Sequence, residues 1–507
     1  MSKVVLIRPT GNTKHRYSGV NRIPLALLYL GTVLKVAGHI VKIIDATTDR
    51  DYKTSIIKEC YDADIVGITA LTSEVKNGLE ISKLIKDEYD ISIVWGGIHP
   101  SLFPELTCQD SLVDYVISGD GEYALLELVE CIEKKEKLND IASLSYKVFG
   151  RNVITNPERS YADLNKLPPI DYTLIDMDKY YEGGTWRMAV DAQTSRGCTF
   201  HCKYCVNTAL NNHKVRTLNA ERVVDECERL IKEYGANYIT FVDDNFFINK
   251  KRAVGICEGI IKRNLKFKWF AEIRADYFRD GFIDKEFLEL AEKSGLSNLT
   301  IGAESGNQHQ LDLIGKEITV DNIIDSALYL SKTNIVTAYS FIIGLPDETK
   351  SDIVQVISFI EKMRKIYPRA VYNISTLRAY PGSELTEGFI KQGWIKEPQS
   401  LRQFAEREYN KVYTESPARP IWHCDPNFAY SVAQYSSIAY GPYSGPSIKN
   451  NLRYASILML PEVTLQKIAR WRLSKQFFGI KIDLHISKLL RYLYHMKAVR
   501  SITRWRK

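Results

Sequence analysis

The segment TSRGCTFHCKYCVN sets Cys198, Cys202 and Cys205 in a C-x3-C-x2-C spacing just after a predicted strand. Three thiolates on one short loop suit three irons of a cubane iron–sulfur cluster, which ordinarily takes four cysteines. The absent fourth protein ligand leaves one iron open, as a catalytic metal site keeps an open position. A zinc site completed by His201 or by a distant residue is the rival use of the same thiols. Zinc ribbons pair two C-x2-C knuckles, and the sequence has no second knuckle. The other cysteines, Cys60, Cys108, Cys131, Cys227, Cys257 and Cys424, stand apart. That pattern argues against a secreted disulfide framework and for a reducing compartment.

Further polar residues end short apolar runs. Downstream of the cysteines they are Asp243 and Asp244 in FVDDNFF, Arg274 in EIRAD, and Glu304 and Ser305 in GAESG. Each has a plain structural use as well: strand-end acids cap helices, an arginine forms a salt bridge, and Glu–Ser makes a turn. Upstream, Thr69-Ala70-Leu71, Gly96-Gly97 and Gly119-Asp120-Gly121-Glu122 follow three apolar runs. Glycine at such a place lets a backbone approach a bulky ligand closely.

These positions need elements to hold them. KVVLIRP, HIVKIID, ADIVGITAL, ISIVWGG and DYVISG predict five strands, separated by helical periods such as LALLYLGTVLKVAGH and EVKNGLEISKLIKDEY. Strands alternating with helices predict right-handed crossovers and a parallel sheet covered on both faces. Residues 1–145 thus read as a doubly wound, flavodoxin-like α/β domain. Residues 146–185 include LNKLPPIDYTLIDMDKYYEG, which lacks a steady period and reads as a linker. MAVDAQTS, NYITFVDD, FKWFAEIRA, NLTIGAES, VTAYSFIIG and YNISTLRAY predict six further units, an open or partial (β/α)6 barrel over residues 186–390. Ligands of parallel α/β folds gather at the C-terminal ends of strands, where the candidate residues fall. Residues 391–507 read as helical or irregular.

The net charge of +7 is unevenly spread: residues 464–507 hold twelve Lys or Arg and one acid, Asp483, which leaves −4 for the rest. That stretch also carries Trp471, Phe477, Phe478 and Trp505. A basic amphipathic helix with aromatics suits an anionic membrane surface. A helix packed on the barrel with a solvated basic face accounts for it equally well. No nucleic-acid module accompanies the charge. MSKVVLIRPT lacks the long apolar region of a signal peptide, and no run approaches about 18 apolar residues. A cytoplasmic protein is expected, with peripheral contact at the inner membrane face.

The cysteine spacing resembles that of the radical S-adenosylmethionine (SAM) superfamily, and Tyr204 fits the aromatic position before its last cysteine. GLPDET at 344–349 and PGSEL at 381–385 are similar to later turns of that family. WGGIHPSLFPE and DYVISGDGE resemble the cobalamin-binding domain of the cobalamin-dependent (B12-binding) radical SAM enzymes, class B methyltransferase-like. The resemblance covers roughly residues 1–390. It implies a [4Fe-4S] cluster on Cys198, Cys202 and Cys205, with SAM chelating the open iron. It further implies that Asp243 and Asp244 meet the methionine ammonium, Arg274 a carboxylate, and Glu304 and Ser305 the ribose or carboxylate. The cobalamin tail is expected near Thr69, Leu71, Gly96 and Gly97, with Gly119 and Glu122 beside them.

The Asp-x-His-x-x-Gly motif of histidine-ligated cobalamin is missing from RPTGNTKHRYSG, where Thr13 and Ser18 replace the aspartate and glycine around His15. Neither His15 nor His99 is therefore expected to ligate cobalt. The implied function is methylation of an unactivated carbon by way of a 5′-deoxyadenosyl radical and methylcobalamin. The alternatives are ring formation or rearrangement without net methylation, and a non-catalytic zinc-binding scaffold. Expected partners are a small-molecule substrate, lipid-like or another natural-product intermediate, and a flavodoxin or ferredoxin as electron donor.

Overall fold

The computed structural model describes residues 1–11, 22–148, 152–180, 189–406, 409, 418–441, 456–479 and 481–488, with backbone alone over 456–462. The first sheet contains β1 (Lys3–Arg8), β2 (Ile40–Asp45), β3 (Ile65–Thr69), β4 (Ser92–Gly96) and β5 (Tyr115–Ile117), all parallel, in the order β2-β1-β3-β4-β5. All four central residues of β1 are buried. Helices cover both faces of the sheet, so its strands are continuously apolar rather than alternating.

Beyond β5 the sheet continues into an antiparallel hairpin, β6 (Leu144–Val148) and β7 (Asn152–Thr155). The sequence reading put the domain boundary at residue 145, inside β6, and left β7 in the linker. The physical reason is exposure: β7 is an edge strand whose residues face largely outward, so it carries no apolar period to read.

The second sheet is wholly parallel. Its neighbourhood contains, in chain order, β8 (Ala189–Ala192), the two-residue strands β9 (Ser195–Arg196) and β10 (Arg216–Thr217), β11 (Tyr238–Phe241), β12 (Lys268–Arg274), β13 (Leu296–Glu304), β14 (Val336–Ile343) and β15 (Val371–Thr376). The sheet runs β15-β14-β13-β12-β11-β8, while β9 and β10 form a separate antiparallel ribbon. In β14, Thr337, Tyr339, Phe341 and Ile343 are buried, whereas the residues between them are half-buried. That period of two marks an outer face under helices and an inner face on a lumen.

The covering helices are locally well specified. Ala220–Tyr234 begins with the Asn219 side chain accepting the Arg222 N–H and ends on Gly235 at φ 66°. Its Val223, Val224, Cys227 and Leu230 form one buried stripe. In GLPDET, Thr349 caps Lys350–Ile366, and Glu348 accepts the Gly344 and Leu345 N–H groups.

One buried cluster spans the two sheets. Ile314, Leu345, Leu377 and Phe404 belong to the same buried cluster as Val5, Ile68 and Trp95. Arg402 reinforces the joint with a bidentate contact to Asp110 at 2.7 and 3.2 Å. The helix Pro426–Ala439 packs along the edge at β15, where the Tyr372 N–H reaches the Tyr440 carbonyl at 3.2 Å, covering an edge that would otherwise pair with another chain. Among the described residues, no helix is long and apolar enough to cross a membrane.

Candidate active site and cofactor cavity

The cysteine loop leaves the second sheet after β8 and is closed at its base by the β9–β10 ribbon. It is pinned from two sides: the Lys203 N–H donates to the Ile314 carbonyl at 2.9 Å, and the Leu385 N–H to the Lys203 carbonyl at 3.0 Å. PGSEL thus acts by placing Leu385 under the loop. Cys202 is buried, and Cys198 and Cys205 are half-buried. Burial pushes the Cys205 thiol up to about 11 and raises Cys202, whose rise Lys316 and Arg274 oppose. Asn245 lies beside Cys198, its Nδ2 3.9 Å from the sulfur. Among the described residues, no three His, Cys, Asp or Glu side chains converge to cage one ion.

The strand-end residues divide by role. Asp243 is 2% exposed; its oxygens accept the Thr194 N–H at 2.6 Å, the Thr194 hydroxyl and the Ser195 hydroxyl at 2.8 Å. It braces the end of β8. Asp244 is exposed and accepts the Gly197 N–H at 3.1 Å, so it is the acid of the pair open to a ligand. Arg274 stacks on Phe200, 3.4 Å from the ring centroid, and binds Asp276 at 2.9 Å and the Lys316 carbonyl at 2.9 Å. Its guanidinium supports the cysteine loop from below. Ser305 is fully buried and accepts the Asn307 N–H at 3.2 Å, shaping the turn.

Glu304 sits at φ 59° and is buried. Its Oε1 accepts from the Tyr204 hydroxyl and from Lys316 Nζ, both at 2.9 Å. Tyr204 therefore ties the cysteine loop to β13. Gly302 makes room for the pair, since a Cβ there would lie 2.4 Å from Glu304 Oε1 and 2.8 Å from Lys316 Nζ. The sequence reading missed Lys316. It also missed Glu272 on the lumen face of β12, which water reaches but protein surrounds; burial raises its carboxyl above the ordinary range, with Asp244 adding to the rise. A charged residue inside an otherwise apolar strand was the available signal for Glu272.

The first sheet opens into a cavity of about 240 Å³. Thr69, Gly96, Gly97, Gly119 and Glu122 line it, whereas Leu71 stands 41% exposed beside the sheet. Gly67 was missed. It lies inside β3, and a Cβ there would strike Leu6 Cδ2 at 2.7 Å. A lone glycine in a strand signals such a close approach. Gly97 adopts φ 94°, and a Cβ on it would meet Thr69 Oγ1 at 2.6 Å. Glu122 is 3% exposed, and its Oε2 has no hydrogen-bond partner among the described residues. His99 is fully buried against Phe103 and Phe404, and burial lowers its imidazole to about 3. Thr13, His15, Ser18 and Trp505 lie outside the described residues.

The family model of the radical SAM superfamily matches residues 193–360, and that of the B12 binding domain matches residues 18–129. An uncharacterized methyltransferase of Pyrococcus horikoshii is 34% identical over 391 residues, covering 76% of this chain and 83% of the relative. The anaerobic magnesium-protoporphyrin IX monomethyl ester cyclase of Rubrivivax gelatinosus is 28% identical over 397 residues, with 76% and 69% covered. Among solved structures, the cobalamin-dependent S-adenosylmethionine radical enzyme OxsB with aqua-cobalamin bound shares the fold at TM-score 0.72, with 18% identity over 99% of this chain and 81% of that one. The chain belongs to the B12-binding radical SAM family.

Proposed function

We propose that this chain is a cobalamin-dependent radical SAM methyltransferase that acts on an unactivated carbon of a small-molecule substrate. The observation that carries the reading is a juxtaposition. A three-thiol loop with no fourth cysteine stands at the mouth of the six-stranded sheet, beside a glycine-floored cavity in the neighbouring sheet. The donor sets fit the groups. Cys198, Cys202 and Cys205 would hold the [4Fe-4S] cluster, and the cavity floor at Gly67, Gly96 and Gly97, with the unpartnered Glu122 oxygen, would take the amide-rich tail of cobalamin. When bound, the cluster and SAM supply a 5′-deoxyadenosyl radical, and cobalamin supplies the methyl group.

The chain's own residues bind and orient. Asp244 offers a carboxylate to the SAM ammonium, Lys316 offers positive charge, and Glu304, held by Tyr204 and Lys316, accepts from a hydroxyl. Residues 1–145 serve cobalamin, residues 186–390 the radical chemistry, and part of 391–507 closes the edge at β15. An acidic flavodoxin or ferredoxin would deliver the electron. Trp471, Phe477, Ile482 and Ile486 are exposed beside Lys475, Lys481 and Lys488, which supports contact with an anionic membrane surface.

The test is anaerobic reconstitution with iron, sulfide and hydroxocobalamin, then mass spectrometry after incubation with SAM and reductant. 5′-Deoxyadenosine together with S-adenosylhomocysteine is expected. 5′-Deoxyadenosine alone would favour ring formation or rearrangement, a reading that the cyclase relative motivates. A colourless, zinc-loaded protein would sink both.

A further inference from the structure

The ribbon at the base of the cysteine loop carries an electrostatic problem. β9 and β10 pair antiparallel with Arg196 directly opposite Arg216, and like charges across a ribbon destabilise it. The solution comes from the other sheet. Asp120 Oδ1 accepts Arg196 Nη1 at 3.0 Å and Arg216 Nη2 at 3.1 Å, across sequence separations of 76 and 96 residues. Glu122 Oε1 accepts Arg196 Nη2 at 2.6 Å, Gln193 Oε1 accepts Nε at 3.0 Å, and the guanidinium lies 4.9 Å from the centroid of the Tyr29 ring. The Arg196 and Glu122 side chains are only 13% and 4% exposed. A buried arginine cannot leave its acids without stranding a charge.

Asp120, Glu122, Gln193 and Arg196 are also wall residues of the cavity in the first sheet. The side chains that bound the cavity are thus the ones that clamp the ends of the cysteine loop, with Arg196 two residues before Cys198. Neither sheet needs these contacts for its own ladder. They fix where the loop stands relative to the cavity.

We propose that Arg196 is a positioning residue that couples the cavity to the cysteine loop, so that filling one favours assembly of the other. The inference rests on the reading above that the cavity takes cobalamin and the loop a cluster. A ligand that orders Asp120 and Glu122 orders both arginines, and with them the base of the loop. By linkage, cluster assembly must then raise cobalamin affinity by the same factor as cobalamin raises cluster affinity.

The experiment measures hydroxocobalamin affinity of the full chain, anaerobically, with and without the reconstituted cluster. Wild type is expected to bind at least about fivefold tighter when the cluster is present. Compared at matched iron content, Arg196→Gln should bring that ratio to about one, Arg196→Lys should restore part of it, and Asp120→Asn should lose it from the opposite side. Hydrogen exchange supplies a second readout: hydroxocobalamin added to cluster-free wild type should protect amides 197–205, and should not in Arg196→Gln. A wild-type ratio of one, or an Arg196→Gln ratio equal to wild type, overturns the inference. If Arg196→Gln fails to fold, Asp120→Asn and Glu122→Gln decide the matter. A wild type that binds neither group would overturn the cofactor reading beneath it, whereas both bound without mutual effect overturns the coupling alone.

Discussion

Gly67, Gly96 and Gly97 open the first sheet by leaving side chains out, whereas the mouth of the second sheet is packed with charge: Glu304 with Lys316, and Asp243 near Arg252. The first arrangement, a glycine floor, makes room for a large ligand at little electrostatic cost, the cavity's charges, Asp120, Glu122 and Arg196, being paired in its wall. The second holds fixed charges in a partly desolvated lumen, where they act strongly on a small charged ligand but are costly to strand. The two regions should therefore fail differently, the cavity by being filled and the mouth by losing a partner.

The largest contrast is all-or-none. Cys202→Ala should cost the chain its cluster iron and bring 5′-deoxyadenosine below detection, while cobalamin stays bound at reduced affinity. Iron analysis and product mass spectrometry check it, and unchanged iron would break the assignment of the loop. Next comes the buried ion pair. Lys316→Ala strands Glu304 and should lower stability by roughly 3–5 kcal/mol, and the double variant Lys316→Met with Glu304→Gln should recover most of it. Urea midpoints decide this, and a single-variant loss below about 1 kcal/mol would mean the pair behaves as a surface contact.

A third prediction concerns pH. Burial raises the Glu348 carboxyl to about 8, against the pull of the Gly344 and Leu345 N–H groups. The folded chain therefore holds a proton that the unfolded chain has released, so the contribution is complete below the ordinary carboxylate range and is lost as pH rises toward about 8. Stability should fall with a slope of up to about 1.4 kcal/mol per pH unit across that window. Glu348→Gln, which stays neutral, should remove that slope; an unaltered slope would assign it to other groups.

The smallest effect sharpens the cavity side. A Cβ on Gly96 would meet only the Ile117 carbonyl, at an ordinary 3.6 Å. Gly96→Ala should therefore leave stability nearly unchanged yet weaken hydroxocobalamin binding by about tenfold, the scale of a modest steric clash. Gly97→Val should instead damage the fold itself, because that position combines a positive φ with the Thr69 contact. Equal behaviour of the two variants would erase the distinction between floor and turn.

Much of the architecture was legible because it is locally encoded. Alternating apolar runs and helical periods marked the five parallel strands of the first sheet and the six of the second, and glycines at strand ends marked part of the cavity wall. The hairpin β6–β7 was not legible, since an exposed edge strand has little apolar pattern to show. Gly67 had a signal, a single glycine inside a strand. Lys316 had none, because nothing in LIGKEIT announces a buried ammonium.

The amino-acid sequence by itself determined which thiols share a loop, which strands alternate with helices and where their C-terminal ends lie, because these depend on neighbours a few residues apart. Only the tertiary structure decided how adjacent, chemically identical side chains divide: Asp243 braces a strand end while the exposed Asp244 holds the Gly197 N–H, and Asp120 serves two arginines of the β9–β10 ribbon. Partner choice across 70 or more residues is set by how the two sheets pack and which charges that packing buries, and sequence spacing carries no record of it.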